Sequence, residues 1–454
     1  MDIDSFFKDI YYEENGKKVF KILVNGNWIK SSSNKTQDVI SPINLDVIGS
    51  IQLANNYDVI SVLKKAKELI EKYKEDFIND IMIESAKTRN LAEGEVNTTI
   101  ERFDLINEDL RRVKIWDKNL FGKEAKIIRE PIGIVLAISS FNYPLFSMAS
   151  KVIPALLGKN SVIGKPSLND PIVSLMFFKI LQEAGVPDGV INVITGLSSE
   201  IGDQLVKDGR IQMISLTGST NTGKHIMSVC GIKRLHLELG GKGNAIVLND
   251  ADLQLTAEKI IEGSLKYSGQ RCDAISRVLV PEKIHDKLVN EIIKSFDQKH
   301  PDIVPLINED ASKKVVELIN DAIKNGAKVL RGGKSNRNFV EATILDNVPL
   351  LARIAWEETF GPVITIIPVK DEKEAIAIAK ESEFGLDSCI FGKRNVMKYA
   401  KMLDDGSVTI NNYPSHGTGF YPFGGNKNSG IGREGIGYSL IEMTRIKTIK
   451  ISKS

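Results

Sequence analysis

From residue 132 onward the chain alternates short apolar, β-branched runs with longer amphipathic stretches. IGIVLAIS (132–139), SVIGKP (161–166), VINVITG (190–196) and QMISLTG (212–218) read as strands, and 144–158, 172–185 and 199–207 as the helices between them. Strands apolar on both faces, alternating with helices, predict a parallel sheet covered on both sides. That architecture suits nucleotide binding, although other α/β functions share it. A second series begins after Gly240: NAIVLND, a helix at 255–267, RVLVPE, helices at 284–296 and 311–327, GPVITIIPV, a helix at 372–383, and SVTINN. It predicts a second α/β domain. Ahead of 132 the pattern differs. The start of the chain holds β-like runs (FKILVNG, VIGSIQLA) separated by Ser/Asn-rich turns, 58–77 has the spacing of an amphipathic helix, and 80–115 also reads as helical. The tail TRIKTIKIS alternates like a strand that either caps a sheet edge or pairs with another subunit.

A length of 454 residues leaves room for several domains with buried cores. The formal net charge of +2 predicts no strong attraction to nucleic acid or to a membrane surface. The Lys-rich stretch 64–74 also carries Glu at helical spacing and reads as a solvated face rather than a phosphate-binding patch. Three cysteines, Cys230, Cys272 and Cys389, are too few and too odd for a disulfide framework and point to a reducing compartment. The opening MDIDSFFKDIYYEENGKK is acidic and lacks the apolar centre of a signal peptide. No apolar run approaches the ~18–20 residues that span a bilayer. A soluble, cytoplasmic protein is the expectation.

Four segments carry candidate chemistry. In SGQRCDA (268–274) Cys272 follows a helix with Arg271 beside it; it reads either as a nucleophile, its thiolate favoured by the guanidinium, or as a buried structural thiol. Cys230 and Cys389 sit in apolar runs and suit a core. In LELGGKGN (237–244) Glu238 ends an apolar strand before two glycines, as a general base or as an ordinary surface carboxylate. In ISSFNYPLF (138–146) Asn142 lies just past a strand end, in the crevice where open α/β sheets bind ligands. Its amide suits an oxyanion, or plain turn chemistry. SLTGSTNTGKH (215–225) runs from strand through a Gly-rich turn into a helix, a natural pyrophosphate site. It nearly matches a P-loop through Gly218, Gly223 and Lys224, but His225 stands where Ser or Thr would hold magnesium, so a nucleotide-hydrolysing enzyme is a rival reading.

Taken in order, FNYP, GKPS, TGST, LELGGK, GQRC, EETFGPV and PFGGNKNSG resemble the aldehyde dehydrogenase superfamily over nearly the whole chain. The intervals from Asn142 to Lys165 and from Glu238 to Cys272 agree with that family's pattern as well. The resemblance implies an α/β fold of that family: a Rossmann-like cofactor domain without a GxGxxG fingerprint, an α/β catalytic domain, and a small β oligomerisation element. It implies that Cys272 is the nucleophile, that Asn142 with the Cys272 N–H forms the oxyanion hole, and that Glu238 activates the hydrolytic water. By the same resemblance Lys165 and Ser167 meet the adenosine ribose and its surroundings, Gly218 and Ser219 the pyrophosphate, and Glu358 with Phe360 the nicotinamide ribose. Leu168, where many NAD-preferring members carry an acidic residue, favours NADP while leaving NAD possible. The implied lobes are 1–105 with 132–239 for the cofactor, 240–435 for catalysis, and 106–131 with 436–454 for assembly into a homotetramer or homodimer.

Within the superfamily, LAISSFNYP, ITGLSSEIGD, KYSGQRC and WEETFGPV look most similar to the non-phosphorylating glyceraldehyde-3-phosphate dehydrogenases. Arg111, Tyr143 and Arg271 match positions that hold the substrate phosphate there, and arginine offers phosphate a charged fork. His416 departs from the pattern, standing where the subfamily has arginine. Glyceraldehyde, lactaldehyde and carboxylate-bearing semialdehydes are the alternative substrates. The presence of Glu238 argues against a CoA-acylating member, and the joint presence of Cys272, Glu238 and Asn142 against a non-catalytic role.

Overall fold

The computed structural model describes residues 11–24, 27–30, 36–40, 47–52, 56–113, 116–120 and 123–451. The acidic opening decapeptide and most of the Ser/Asn-rich turn at 31–35 therefore lie outside the described residues. The expected parallel sheet is present. Its strands run in the spatial order Ile191–Val193, Ser161–Lys165, Ile134–Ile138, Ile211–Thr217 and Arg234–Glu238, all parallel. Gly430–Ile431 closes that edge antiparallel, pairing with Leu237 and Glu238. Successive residues of the central strand feed two cores. Val135 and Ala137 face the helices Pro144–Leu157 and Ile172–Glu183, while Leu136 packs with Val206 and Ile226 on the other side. Strand order reverses between Ile134–Ile138 and Ile211–Thr217, and the crevice at such a switch point is where a doubly wound sheet binds its ligand.

The second sheet has seven strands, with Gly243–Val247 and Ile275–Pro281 side by side at its centre. Ile246 and Leu279 enter one core, and Ala245, Val247, Val278 and Val280 the other. Only residues 239–242 separate the first sheet from the second, so the strand that ends at Glu238 runs through the LGGK segment straight into a central strand of the second sheet.

Two helical expectations need correction. The stretch 58–77 is broken at Tyr73 into Asn56–Lys72 and Lys74–Ser85, because Tyr73 leaves helical geometry. That break re-aims Phe77, Ile78 and Ile81 into the core. The stretch 80–115 is divided again by left-handed Ala86 and by Leu105, giving Arg89–Asp104 and Ile106–Arg112. Residues 106–112 are thus helical and Ile106 joins the core of the first sheet. The hairpin follows them: Trp116–Leu120 pairs with Lys123–Pro131, and Thr444–Ile451 pairs with Lys123–Pro131 along its whole length. No helix among the described residues is long and apolar enough to cross a membrane.

Candidate active site

The carboxyl edge of the first sheet and the amino edge of the second face one cavity of about 770 Å³. Asn142, Lys165, Gly218 and Glu238 reach it from the ends of four first-sheet strands. Cys272 arrives from the opposite side, three residues ahead of Ile275–Pro281. Gly240 and Gly241 make the approach possible. A Cβ on Gly241 would stand 2.7 Å from the Cys272 carbonyl oxygen, and one on Gly240 2.8 Å from Glu358 Oε2.

A strained turn presents Cys272. After the helix Leu253–Leu265, Tyr267, Ser268 and Gly269 adopt φ of 52°, 53° and 69° in succession. For the two residues with side chains this costs about 1–3 kcal/mol each. Tertiary bonds hold it: Tyr267 Oη donates to Ser85 O at 2.8 Å, and Ser268 Oγ both donates to Val304 O and accepts from Val304 N at 2.8 Å. A Cβ on Gly269 would meet Gly361 O at 2.2 Å. Gly269→Ala is therefore expected to destabilise the protein by about 2–4 kcal/mol and to misplace the thiol. Thermal unfolding and activity of that variant check it; an unchanged Tm would refute the strain argument.

Around the thiol the charges are closely matched. Burial pushes the Cys272 pKa well up, and Asp273, Asp387 and Glu238 push the same way; Arg271 opposes them without prevailing. Arg271 therefore favours the thiolate, as expected, but burial and the three carboxylates outweigh it. Its guanidinium is committed to Asp273 at 2.8 Å and donates to Pro414 O at 3.0 Å. Its Nη1 is nevertheless buried without a hydrogen-bond partner among the described residues, and the side chain lines the cavity. Burial would raise the Asp273 carboxyl, but Arg271 and His416 hold it far below the usual range. His416, stacked on Phe423 at 3.8 Å, lines the cavity with Nδ1 3.5 Å from Asp273. Burial lowers the imidazole pKa, yet the neighbouring carboxylates win and the net shift is upward.

Asn142 donates from Nδ2 to Gln270 O at 3.0 Å and accepts from Ser140 Oγ at 2.7 Å. That fixes the amide against the Cys272 segment with its second N–H uncommitted. Glu238 is buried, and burial raises its pKa while His236 opposes the shift. Tyr143 stands just ahead of the helix Pro144–Leu157 and lies under the Lys87 ammonium, 4.0 Å from the ring centre.

The far end of the cavity is built for a polyanion. Ser219 caps the helix Thr220–Val229, accepting from Thr222 N at 3.2 Å, and the helix start faces the cavity. Lys165 donates to Ser198 Oγ at 3.2 Å, with its pKa lowered by burial, and Ser167 follows on the same wall. Glu358 accepts from Gly241 N at 3.1 Å. Phe360, at φ 51°, meets the edge of Phe141 at 5.8 Å.

One predicted residue is elsewhere. Arg111 lies on the outer side of Ile106–Arg112, 77% exposed, paired with Glu108 at 2.5 Å and away from the cavity. The P-loop rival also lacks its lysine: Lys224 points to Glu383 at 3.5 Å, and His225 to Asp203 at 2.7 Å. Cys230 and Cys389 are buried core thiols. The sequence reading missed Lys87, a cavity-lining lysine paired with buried Glu95, which in turn accepts from Leu145 N and Phe146 N at 2.9 and 3.1 Å. Nothing in SAKTRN singles that lysine out. Asp273 was also missed, although its place beside Cys272 was a readable signal.

The chain is similar to known proteins along nearly its whole length. The chain is 37% identical to NADP-dependent glyceraldehyde-3-phosphate dehydrogenase of Streptococcus equinus, over 95% of this chain and 98% of the relative. It is 35% identical to lactaldehyde dehydrogenase of Methanocaldococcus jannaschii, over 95% of this chain and 100% of the relative. The crystal structure of NADP-dependent glyceraldehyde-3-phosphate dehydrogenase from Bacillus halodurans C-125 complexed with NADP superposes with a TM-score of 0.84 at 37% identity, covering 95% and 99% of the two chains. Residues 59–449 match the family described as the aldehyde dehydrogenase family, and the chain belongs to it.

Proposed function

We propose that this aldehyde dehydrogenase oxidises glyceraldehyde 3-phosphate to 3-phosphoglycerate with NADP, without phosphorylating it, through a thioester on Cys272. The observation that carries the reading is the meeting of Cys272, Asn142 and Glu238 in one cavity with Arg271 and His416 beside the thiol. Cys272 Sγ adds to the aldehyde carbon. The free Asn142 N–H and the Cys272 backbone N–H then steady the oxyanion. After oxidation, Glu238 takes a proton from the water that attacks the thioester carbonyl, and Cys272 leaves as thiolate. NADP supplies the hydride acceptor. Lys165 and Ser167 would hold its adenosine side, Gly218 and Ser219 its pyrophosphate, and Glu358 with Phe360 its nicotinamide ribose. The buried cation, the capped helix start and the left-handed aromatic fit such a ligand. Leu168 presents no carboxylate to a 2′-phosphate, and Asp170 behind it is hydrogen-bonded to Ser85 and pushed up to about 9 by burial, so it is neutral.

Arg271 and His416 face the substrate phosphate, with Tyr143 on the same wall. Arg271→Ala should weaken use of the phosphorylated aldehyde by roughly 1.5–3 kcal/mol more than use of glyceraldehyde. His416 is cationic below its raised pKa and neutral above it. The KM for the phosphorylated aldehyde should therefore climb as pH rises through that value, while the KM for glyceraldehyde stays level. Steady-state absorbance of NADPH with both aldehydes tests this; equal losses would remove Arg271 from recognition. One observation favours a second reading. Asp273 neutralises much of Arg271, which suits a neutral aldehyde such as lactaldehyde, the substrate named for the Methanocaldococcus relative.

The lobes are proposed as 1–105 with 132–239 for cofactor, 240–435 for catalysis, and 106–131 with 436–454 for assembly. The outward Ile446, Ile449 and Ile451 on the edge strand Thr444–Ile451 support a homotetramer or homodimer. A cytoplasmic location is proposed with it, and three free cysteines suit a reducing compartment.

A further inference from the structure

We propose that His236 is a positioning residue that holds the Glu238 carboxylate for thioester hydrolysis; the idea rests on Glu238 being the hydrolytic base. The two residues stand two apart on Arg234–Glu238, so the pleat puts them on one face. They are 2% and 3% exposed, with His236 Nε2 3.2 Å from Glu238 Oε1. That approach is bent away from hydrogen-bond geometry, and neither atom has a hydrogen-bond partner among the described residues. Each offers the other the partner it lacks.

The far side of the imidazole is fixed. Its Nδ1 lies 3.1 Å from Ser215 Oγ, on the strand residue paired with His236 in the sheet. A hydroxyl donating to Nδ1 leaves the proton on Nε2, the nitrogen that faces Glu238. Glycines close over the pair. A Cβ on Gly432 would lie 2.6 Å from His236 Cδ2, and one on Gly424 2.8 Å from Glu238 Oε1.

Of the other charges around Glu238, Lys151 also favours the carboxylate but gives it no hydrogen bond, and Glu434 repels it. Lys151, from Pro144–Leu157, pairs with Glu434 at 3.3 Å and donates to Thr217 Oγ1 at 2.6 Å. Glu434 raises the Glu238 pKa, and from the second sheet's side the electrostatics of Cys272 and Asp387 are coupled to Glu238. A buried carboxylate without a donor stays protonated and cannot act as a base. The His236 N–H, 3.2 Å away, favours the ionised form of Glu238 against the burial that raises its pKa, and a small rotation closes the bond that aims it. In the step itself, water oxygen bonds to the thioester carbon, its proton passes to Glu238, and the C–S bond breaks with its electrons on Cys272 Sγ. His236 keeps its place and transfers nothing.

The test is His236→Met, near the imidazole in size but without a donor, with His236→Gln as the conservative rescue. Release of the acid after a single turnover is followed across pH. Expected is an undiminished acylation burst, release slowed about tenfold near neutral pH, and its pH midpoint moved up by about one unit. Gln should restore part of both. An unmoved midpoint overturns the proposal, whether or not the rate falls, and so does one moved down, the direction expected when packing damage lets water reach Glu238. If the Met variant fails to fold, Ser215→Ala is measured instead. A smaller shift in the same direction supports the proposal, and no shift overturns it. Glu238→Gln in parallel separates the two layers: normal release there removes the base assignment itself, whereas stalled release there with an unmoved His236→Met profile removes only His236.

Discussion

Cys272→Ala should lower aldehyde oxidation by at least ~10⁴-fold while NADP binding persists, since covalent catalysis has no second nucleophile to fall back on. Of the three cysteines, only this one borders the cavity; Cys230 and Cys389 are sealed in cores. The residues proposed for the dinucleotide lie on first-sheet loops and on the 358–360 segment, none of them dependent on the thiol. NADPH absorbance and a fluorescence titration of NADP read the two properties separately. Normal turnover in the alanine variant would end the thioester mechanism. The charge balance adds a direction. Because burial and three carboxylates hold the Cys272 pKa up, its thiolate fraction increases with pH, and the acylation rate of the wild-type enzyme should climb from neutral into alkaline solution. The positive nicotinamide ring of bound NADP would favour the thiolate and shift that climb toward neutrality.

Glu238→Gln should leave acylation intact and stall hydrolysis by about 10²–10⁴-fold, the range general-base catalysis contributes. The glutamine keeps the shape and loses the base. Rapid mixing would then show one equivalent of NADPH per site followed by slow turnover, and unchanged steady-state rates would reject the assignment. The pH dependence follows from burial. Since the Glu238 pKa is raised, hydrolysis by the wild-type enzyme is lost on the acid side at a higher pH than an ordinary carboxylate would give.

The central strands of both sheets were legible because each is a short apolar run feeding two cores, whereas Lys328–Arg331, Thr343–Asp346 and Asp387–Phe391 went unread, being short or interrupted by polar residues. The motif residues were legible for a related reason. A glycine pair beside a strand end, or a Gly-rich turn before a helix, serves a backbone contact wherever it occurs. Residues whose role depends on distant partners were not. Lys87 matters through Glu95, Tyr143 and Tyr267, and no local pattern announces those meetings. Arg111 failed in the opposite way: it has the right chemistry, but it belongs to a short helix whose outer face keeps it with Glu108 in solvent. The break at Tyr73 was hidden because both flanking segments have helical spacing and only packing decides where one ends.

The short pairing of Gly430–Ile431 with Leu237–Glu238 sets a timetable for synthesis. The ribosome delivers the strand bearing Glu238 long before the segment that covers its edge, an interval of about 10–40 s at ordinary elongation rates. Throughout that interval the nascent first sheet carries a bare parallel edge, the kind of surface on which neighbouring chains on a polysome aggregate. Chains that stall between the two segments should accordingly depend on chaperones more than the finished protein does.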